Sequence, residues 1–419
     1  MQRIATDVLV IGAGPAGAAA ARALALQGRE VLLVDRCEFP RDKVCGDGLI
    51  PDALRALERL GLLERILAES RRLASVRVYA PNGTYVCADV DFACLPRRRL
   101  DALMRDAAIA AGATFLAPYE VAEALEEEDG SVAGARLAPA GARSMPDTCL
   151  TRAGGCGEGL TVRASHTILA TGAAVAPLER FSVCRRRSAS AVAARFYLRA
   201  PHDLALQTQH FAISYDRHIA PGYGWIFPGP DRVFNIGVGY FDDARRPRPD
   251  SNLRTMLARF VATFPPAREI LAVSERLTDI RGAPLRTSLG GSALSRPGLL
   301  VVGDACGATY PLTGEGIGKA IETGMIAAEI LGDARGAAHA ARARAAALYA
   351  AAVVARLKPR FQAYKAAQRW LRYPAVHDFL AWRGRSGRFV VEQLQDLLRD
   401  TGDPAALLSV GGMLKALTA

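Results

Sequence analysis

Thr6-Asp7-Val8-Leu9-Val10-Ile11 followed by Gly12-Ala13-Gly14-Pro15-Ala16-Gly17 is the stretch that decides the fold. The first six residues are a short apolar run of the kind that forms a buried strand, and the next six are a turn. Ala18 to Gln27 reads as a helix of small residues and Glu30 to Asp35 as the next strand, which completes one βαβ unit. Gly12 permits the tight turn, Gly14 lets backbone approach a pyrophosphate, and Gly17 lets helix and strand pack closely. The helix N-terminus favours negative charge. Asp35 ends the second strand at the spacing of a ribose contact, and as an acid it points to an unphosphorylated adenosine ribose. Gly12, Ala13, Gly14, Pro15, Ala16, Gly17, Asp35 and Arg36 are therefore the first expected cofactor-binding residues.

A second motif lies far down the chain. Leu299 to Val302 reads as a buried strand, followed by Gly303-Asp304 and then Pro311-Leu312-Thr313-Gly314-Glu315-Gly316-Ile317-Gly318, with a helix from Ile317 to Leu331. An aspartate at a strand end accepts hydrogen bonds from a polyol such as a ribityl chain. A glycine run opening a helix offers N–H groups to a developing negative charge, and a reduced flavin carries such a charge near N1 and O2.

Together these motifs resemble the FAD-dependent aromatic-hydroxylase-type fold. Within it, Lys43-Val44-Cys45-Gly46-Asp47-Gly48 resembles the K-x-C-G segment of the geranylgeranyl reductase family. Pro221-Gly222-Tyr223-Gly224-Trp225-Ile226-Phe227-Pro228 resembles that family's Y-x-W-x-F-P signature. The resemblance spans roughly residues 5 to 335. It implies that Arg97 in R-x-x-L-D reaches the FAD phosphates and that Val121 makes a backbone contact to adenine. Cys45 and Gly46 would lie near the isoalloxazine ring. Gly303, Asp304 and Pro311 would flank the ribityl and pyrophosphate, and Gly314, Gly316 and Ile317 would face flavin N1 and O2. Cys45, Tyr223 and Trp225 are the expected catalytic residues. Each has a plainer alternative: Cys45 as a small buried hydrophobe, and Tyr223 and Trp225, which alternate on one strand face, as core rather than pocket wall.

The expected architecture is α/β, with a discontinuous doubly wound FAD-binding domain (1–75, 97–183 and 277–335), an inserted antiparallel-sheet substrate domain (76–96 and 184–276) and a C-terminal helical region (336–419). Pro51 to Ala68 reads as one helix, Thr114 to Glu120 as one strand, Pro139 to Gly159 as a polar loop, and Arg185 to Ile280 as mostly strand.

Composition limits the function classes. Half of the 419 residues are apolar, enough for a sizeable core. The net charge of +11 favours acidic partners, yet no nucleic-acid-binding motif is present, so no nucleic-acid partner is expected. The eight cysteines form no CxxC pair, and His202, His210 and His218 have no ligand spacing, so no metal is expected and a reducing compartment fits. The first residues run straight into a strand, and the apolar run Ala345 to Ala355 is too short to span a bilayer. A cytoplasmic protein, at most peripheral to a membrane, is expected. The basic stretch Arg335 to Arg388 reads as a solvated helical cap, with an anionic-membrane contact as the alternative.

The resemblance implies hydride transfer through flavin N5, forming or removing carbon–carbon double bonds of an isoprenoid or other apolar substrate. With one dinucleotide fingerprint in the chain, NAD(P)H or another external reductant would dock transiently. A monooxygenase acting on an aromatic or natural-product substrate is the alternative. Against it stands Thr171-Gly172, where hydroxylases carry D-G, and the lack of their serine between Ala173 and Arg180. A halogenase is disfavoured by Tyr223 and Phe227 in place of the tryptophan and isoleucine of W-x-W-x-I-P. A nucleic-acid-binding flavoprotein is the remote alternative.

Overall fold

Valines and leucines at the start of the chain run straight into a parallel sheet. A computed structural model describes residues 2–141, 159–241, 252–334 and 336–418. The strand Gln2–Ile11 lies between Val31–Val34 and Leu160–Leu169, with Ile11 opposite both Val34 and Leu169. Across this sheet the order is Ser295–Arg296, Leu299–Val301, Leu160–Leu169, Gln2–Ile11, Val31–Val34 and Thr114–Leu116. The antiparallel pair Tyr119–Glu126 and Val132–Pro139 extends it through Leu160–Leu169.

The helix Pro15–Leu26 begins three residues earlier than Ala18 because Pro15 sits at its first position, where a missing N–H costs nothing. Its alanines pack against the helix Ile317–Asp333 at very short range. A Cβ on Gly324 would come within 2.3 Å of the Ala16 carbonyl oxygen. That contact brings the two phosphate- and flavin-type loops, at residues 12–17 and 303–316, to one end of the sheet.

The second sheet runs Glu275–Arg276, Ala191–Arg199, Val233–Phe241, Gly222–Pro228, Phe211–Ser214, Arg71–Tyr79, Tyr85–Cys94 and Gly48–Leu49, with Arg281–Leu285 also paired to Ala191–Arg199. It is antiparallel apart from the parallel pair Phe211–Ser214 with Arg71–Tyr79. Four expectations change here. The boundaries at 76 and 277 fall inside this sheet's strands and pairings: Arg71–Tyr79 and Arg281–Leu285 both belong to it, as does Gly48–Leu49. The stretch 185–280 also contains helices Leu253–Thr263 and Pro265–Val273, the first capped by the Asn252 side chain and burying Met256, Leu257, Phe260 and Val261 at helical spacing. Gly61, at φ +71°, splits the expected helix 51–68 into Pro51–Arg59 and Leu63–Leu67, and Pro118 ends the strand at Leu116. Most of the loop expected at 139–159 lies outside the described residues.

The C-terminal helices bridge both sheets. His339–Gln368 lies along the parallel sheet, where Tyr349 donates to the Val301 carbonyl (2.7 Å) and Arg342 to that of Ser165 (3.0 Å). Pro374–Gly384 and Arg388–Leu398 then pass to the second sheet, where Arg399 donates to the Asp89 carbonyl at 3.0 Å. No described helix is long and apolar enough to cross a membrane.

Gly324→Ala should lower stability by about 1–3 kcal/mol through overpacking, despite alanine's better helix propensity. A fall in the urea midpoint at unchanged slope checks this.

Candidate functional site

Three glycines open the first helix, and the protein explains only two of them. Gly12 sits at φ +105° with Ala170 O only 2.3 Å from where a Cβ would stand. A Cβ on Gly17 would meet Gly12 O at 1.8 Å. A Cβ on Gly14 would meet nothing nearer than the guanidinium groups of Arg41 (3.7 Å) and Arg97 (3.8 Å). Gly14 is thus small for the sake of something outside the chain, in a space faced by two cations and a helix N-terminus.

Those cations are held by acids. Asp101 takes Arg97 through two hydrogen bonds (2.6 and 2.8 Å) and Arg41 at 3.0 Å. Burial works against the Arg97 charge, but the Asp101 carboxylate beside it outweighs burial and holds the guanidinium above its ordinary value. Asp35, at the end of the second strand, accepts from the Ala13 N–H (2.8 Å) and the Cys37 N–H (3.0 Å), so it fixes the glycine loop from behind.

The second loop closes the other side. Asp304 accepts from Thr309 Oγ1 at 2.5 Å, and a Cβ on Gly316 would strike that same Oγ1 at 2.6 Å. Gly316 caps the helix beginning at Ile317. Glu315 accepts from the Gly318 N–H (2.8 Å), and burial next to Asp52 raises its carboxyl to about 8.

The segment Lys43–Gly48 lies between these loops and the second sheet. Burial pushes the Cys45 thiol up against the opposing pull of Arg97 and Lys43, so it is held as a thiol. Burial also lowers the Lys43 ammonium, which lies near Asp304. Asp47 is almost fully buried and accepts three hydrogen bonds: from the Arg97 N–H (3.1 Å), the Tyr197 hydroxyl (2.6 Å) and Asn235 Nδ2 (2.7 Å). Burial raises it to about 6, with those bonds pulling the other way. Asn235 also donates to the Cys45 carbonyl (2.8 Å) and accepts from the Trp225 indole N–H (2.9 Å).

Tyr223, Trp225 and Phe227 share one face of their strand. Trp225 is buried, and a Cβ on Gly237 would strike its ring at 2.2 Å, so that glycine makes room for it. The Tyr223 hydroxyl donates to the Thr313 carbonyl. Phe227 stacks on Phe211 at 4.4 Å.

The two glycine loops, the segment Lys43–Gly48 and the face bearing Tyr223, Trp225 and Phe227 line one cavity of about 530 Å³, with Asp101, Tyr197 and Asn235 behind its wall. It brings together Gly12, Gly14, Pro15, Ala16, Asp35, Arg36, Cys45, Gly46, Arg97, Val121, Tyr223, Trp225, Gly303, Asp304, Gly314, Gly316 and Ile317. Ala13, Gly17 and Pro311 are outside its lining. Val121, expected to make a backbone contact to adenine, has its carbonyl taken by Arg180. The cavity also runs beneath the C-terminal helices, where Leu371, Leu380, Val390, Leu394, Leu397 and Leu408 form its wall. The C-terminal region is therefore a wall of the cavity and more than a cap over the parallel sheet.

The FAD binding domain family matches residues 5–147. The menaquinone reductase of Mycolicibacterium smegmatis is 33% identical over 339 residues, 78% of this chain and 76% of that protein. The digeranylgeranylglycerophospholipid reductase of Methanoculleus marisnigri is 30% identical over 338 residues, 77% of this chain and 76% of that protein. The chain belongs to the geranylgeranyl reductase family of FAD-dependent oxidoreductases. A solved geranylgeranyl bacteriochlorophyll reductase-like protein of Thermoplasma acidophilum shares its fold, with a TM-score of 0.74 at 22% identity over 99% of this chain and 96% of that one.

The family's cofactor fits these residues. Gly14 leaves space that a pyrophosphate would need, Arg97 and Arg41 would supply its countercharge, and the Gly314–Ile317 turn would offer N–H groups at a helix start. Asn235, Tyr197, Lys43 and Glu315 were not singled out from the sequence as site residues. The available signal for Asn235 was one amide in the apolar strand Val233–Phe241. Among the described residues no group of side chains could hold a metal ion. Cys37, Cys45, Cys87, Cys94, Cys184 and Cys306 carry free thiols; Cys149 and Cys156 lie outside the described residues.

Gly14→Ala should change the stability of the FAD-free protein by no more than about 1 kcal/mol, yet weaken FAD retention about 10-fold or more. Equilibrium dialysis and urea unfolding separate the two effects, and Gly12→Ala should instead fail in folding. Glu315 yields a pH test. A carboxyl raised in the folded state binds its proton more tightly than in the unfolded chain, so its contribution is full below about 4.5 and lost as pH rises through about 8. Glu315→Gln, which can still accept from Gly318, should gain stability relative to the native protein between about pH 5 and pH 9. Thermal unfolding at both pH values checks this, and a constant difference contradicts it.

Proposed function

We propose that the protein reduces carbon–carbon double bonds in the isoprenoid chain of a lipid-like substrate. The observation that carries this reading is the continuity of the cavity, from the two glycine loops past Tyr223 and Trp225 to the leucines under the C-terminal helices. A long apolar chain gains by threading such a wall, at about 25 cal/mol per Å² of apolar surface removed from water. The names of the menaquinone and archaeal lipid reductases, which cover more than three quarters of this chain, support an isoprenoid substrate.

The chemistry that bound FAD supplies is delivery of a hydride equivalent. Reduction of a carbon–carbon double bond also needs a proton for the second carbon. Cys45 is the group assigned to it: its Sγ keeps a proton because burial outweighs the pull of Arg97 and Lys43, and solvent replaces the proton after transfer. Tyr223 and Trp225 act through position. The first holds the Thr313 carbonyl beside the Gly314 turn, and the second holds Asn235. Arg97 and Asp35 flank the glycine loop of the dinucleotide site, joined through Arg41, which pairs with Asp35 (3.5 Å) and with Asp101 (3.0 Å). Among the described residues the Gly12–Gly17 loop is the one dinucleotide loop, so an external reductant, NAD(P)H or another, supplies the electrons.

A lipid substrate reaches the cavity most directly from a membrane surface. Trp382, Val410, Leu414 and Leu417 are exposed large apolar side chains on the C-terminal helices. Exposed Arg385, Arg388 and Lys415 stand among them in the chain. That combination suits peripheral docking on anionic lipid.

The test is anaerobic. Reduced holoenzyme, mixed with a polyprenyl substrate in anionic vesicles, should regain the oxidised flavin spectrum without oxygen. Reoxidation by oxygen alone, with the isoprenoid inert, overturns the reading and favours a monooxygenase.

A further inference from the structure

The acid of the Gly314–Ile317 turn, Glu315, opens on the cavity. Its Oε1 accepts from the Gly318 N–H at 2.8 Å. Its Oε2 has no hydrogen bond among the described residues, yet it is not one of the polar atoms closed off from solvent, so it faces the cavity that Glu315 lines. Asp52 stands behind it. A Cβ on Gly318 would come within 2.3 Å of Asp52 Oδ2, so two carboxyl groups meet at one glycine. No described ion pair reaches Glu315, and Lys319 beside it is engaged by Asp52, Glu322 and Asp400.

A carboxyl group with a carboxylate for a neighbour, little water and no cation of its own keeps its proton. Burial, then Asp52, raise Glu315 to about 8, so it is a neutral acid at neutral pH. The other titratable groups facing the turn are Asp52, Lys319, Glu322 and Asp400 behind it, and Tyr223, Cys45 and Asp304 on the cavity side. Burial holds the protons on Tyr223 and Cys45. The acids around Lys319 keep it charged against the effect of burial. Glu315 is thus the cavity-facing acid whose charge changes in mildly alkaline solution.

The cofactor changes charge beside this acid. The helix Ile317–Asp333 begins at Gly316, and its N-terminus is where the cavity favours a negative charge. A reduced flavin carries such a charge near N1 and O2. A negative charge added there opposes ionisation of Glu315, which then binds its proton more tightly. We propose that Glu315 gains a proton when the bound flavin gains two electrons and loses it when they leave, so that reduction in alkaline solution takes up two protons instead of one. An external reductant supplies the electrons; one proton goes to the flavin and the other to the Glu315 carboxylate. Neutralising that carboxylate removes the repulsion it would exert on the reduced cofactor. No substrate takes part, so the proposal stands apart from the isoprenoid reading.

The flavin potential of the holoenzyme is measured against redox dyes at a series of pH values, in the native protein and in Glu315→Gln, whose amide still accepts from Gly318. Each proton bound per electron pair lowers the reduction constant about tenfold per pH unit, or about 30 mV for a two-electron couple. The native protein should show about a tenfold fall per unit from about pH 7 to 8 and about 100-fold per unit just above about pH 8. Glu315→Gln should keep the tenfold slope throughout. A carboxylate that only caps the helix would leave the two profiles parallel. A single slope in the native protein overturns the proposal without any variant. A steepening that survives in Glu315→Gln overturns it too and moves the proton to Cys45 or Tyr223. If Glu315→Gln loses FAD, the native protein decides alone: electrochemical reduction in weak buffer should take up one proton at about pH 7 and between one and two just above about pH 8, and one at both contradicts the proposal.

Discussion

Asp47 holds the helix Arg97–Ala110 and the second sheet in one geometry because a carboxylate withdrawn from water must find its hydrogen bonds inside the protein. Its partners come from three places: the start of the helix Arg97–Ala110, Tyr197 on the second sheet, and Asn235 two strands from that sheet's edge side. Asn235 passes the constraint on to the Cys45 carbonyl and to Trp225. One buried knot therefore sets the spacing between the arginine at the phosphate loop, the cysteine segment and the aromatic wall. Asp47 adopts φ +65°, a conformation that aspartate tolerates better than most residues and that other side chains would pay for in strain.

A second buried polar cluster ties down the roof. Lys319, on the helix that opens with the Gly314–Ile317 turn, pairs with Asp52 (3.0 Å), Glu322 (2.7 Å) and Asp400 (3.4 Å). Asp400 also accepts from Tyr364 (3.2 Å) and bonds Arg360, both on the long C-terminal helix. The C-terminal region is thus anchored beside the flavin-type loop by buried charge, whose removal on one side alone is strongly destabilising. This explains how helices with little amphipathic pattern keep a fixed place over the cavity.

Much of the fold was legible because its strongest signals are local. The run Val8–Ile11, the glycines at 12, 14 and 17, and Asp35 lie within one βαβ unit, and each has a steric or electrostatic reason that acts at short range. The strand bearing Tyr223 and Trp225 was equally readable. Whether those rings were core or wall was not, because alternation fixes only the face. The structure places them between: both line the cavity, and the polar atom of each is taken up inside the protein. The boundaries near 76 and 277 cut across the second sheet because strand pairing joins Arg71–Tyr79 and Arg281–Leu285 to partners far away along the chain. Asn235 and Asp400 were invisible for the same reason: their partners are distant in sequence, and a lone polar residue carries no motif.

The claim on which the account turns is that the cavity serves saturation of an isoprenoid double bond. Mass spectrometry of the lipid recovered after turnover with a chemical reductant tests it most directly. The account predicts a product heavier by two hydrogen atoms for each bond reduced, with no oxygen gained. A product that has gained an oxygen atom, with its double bonds intact, would contradict it.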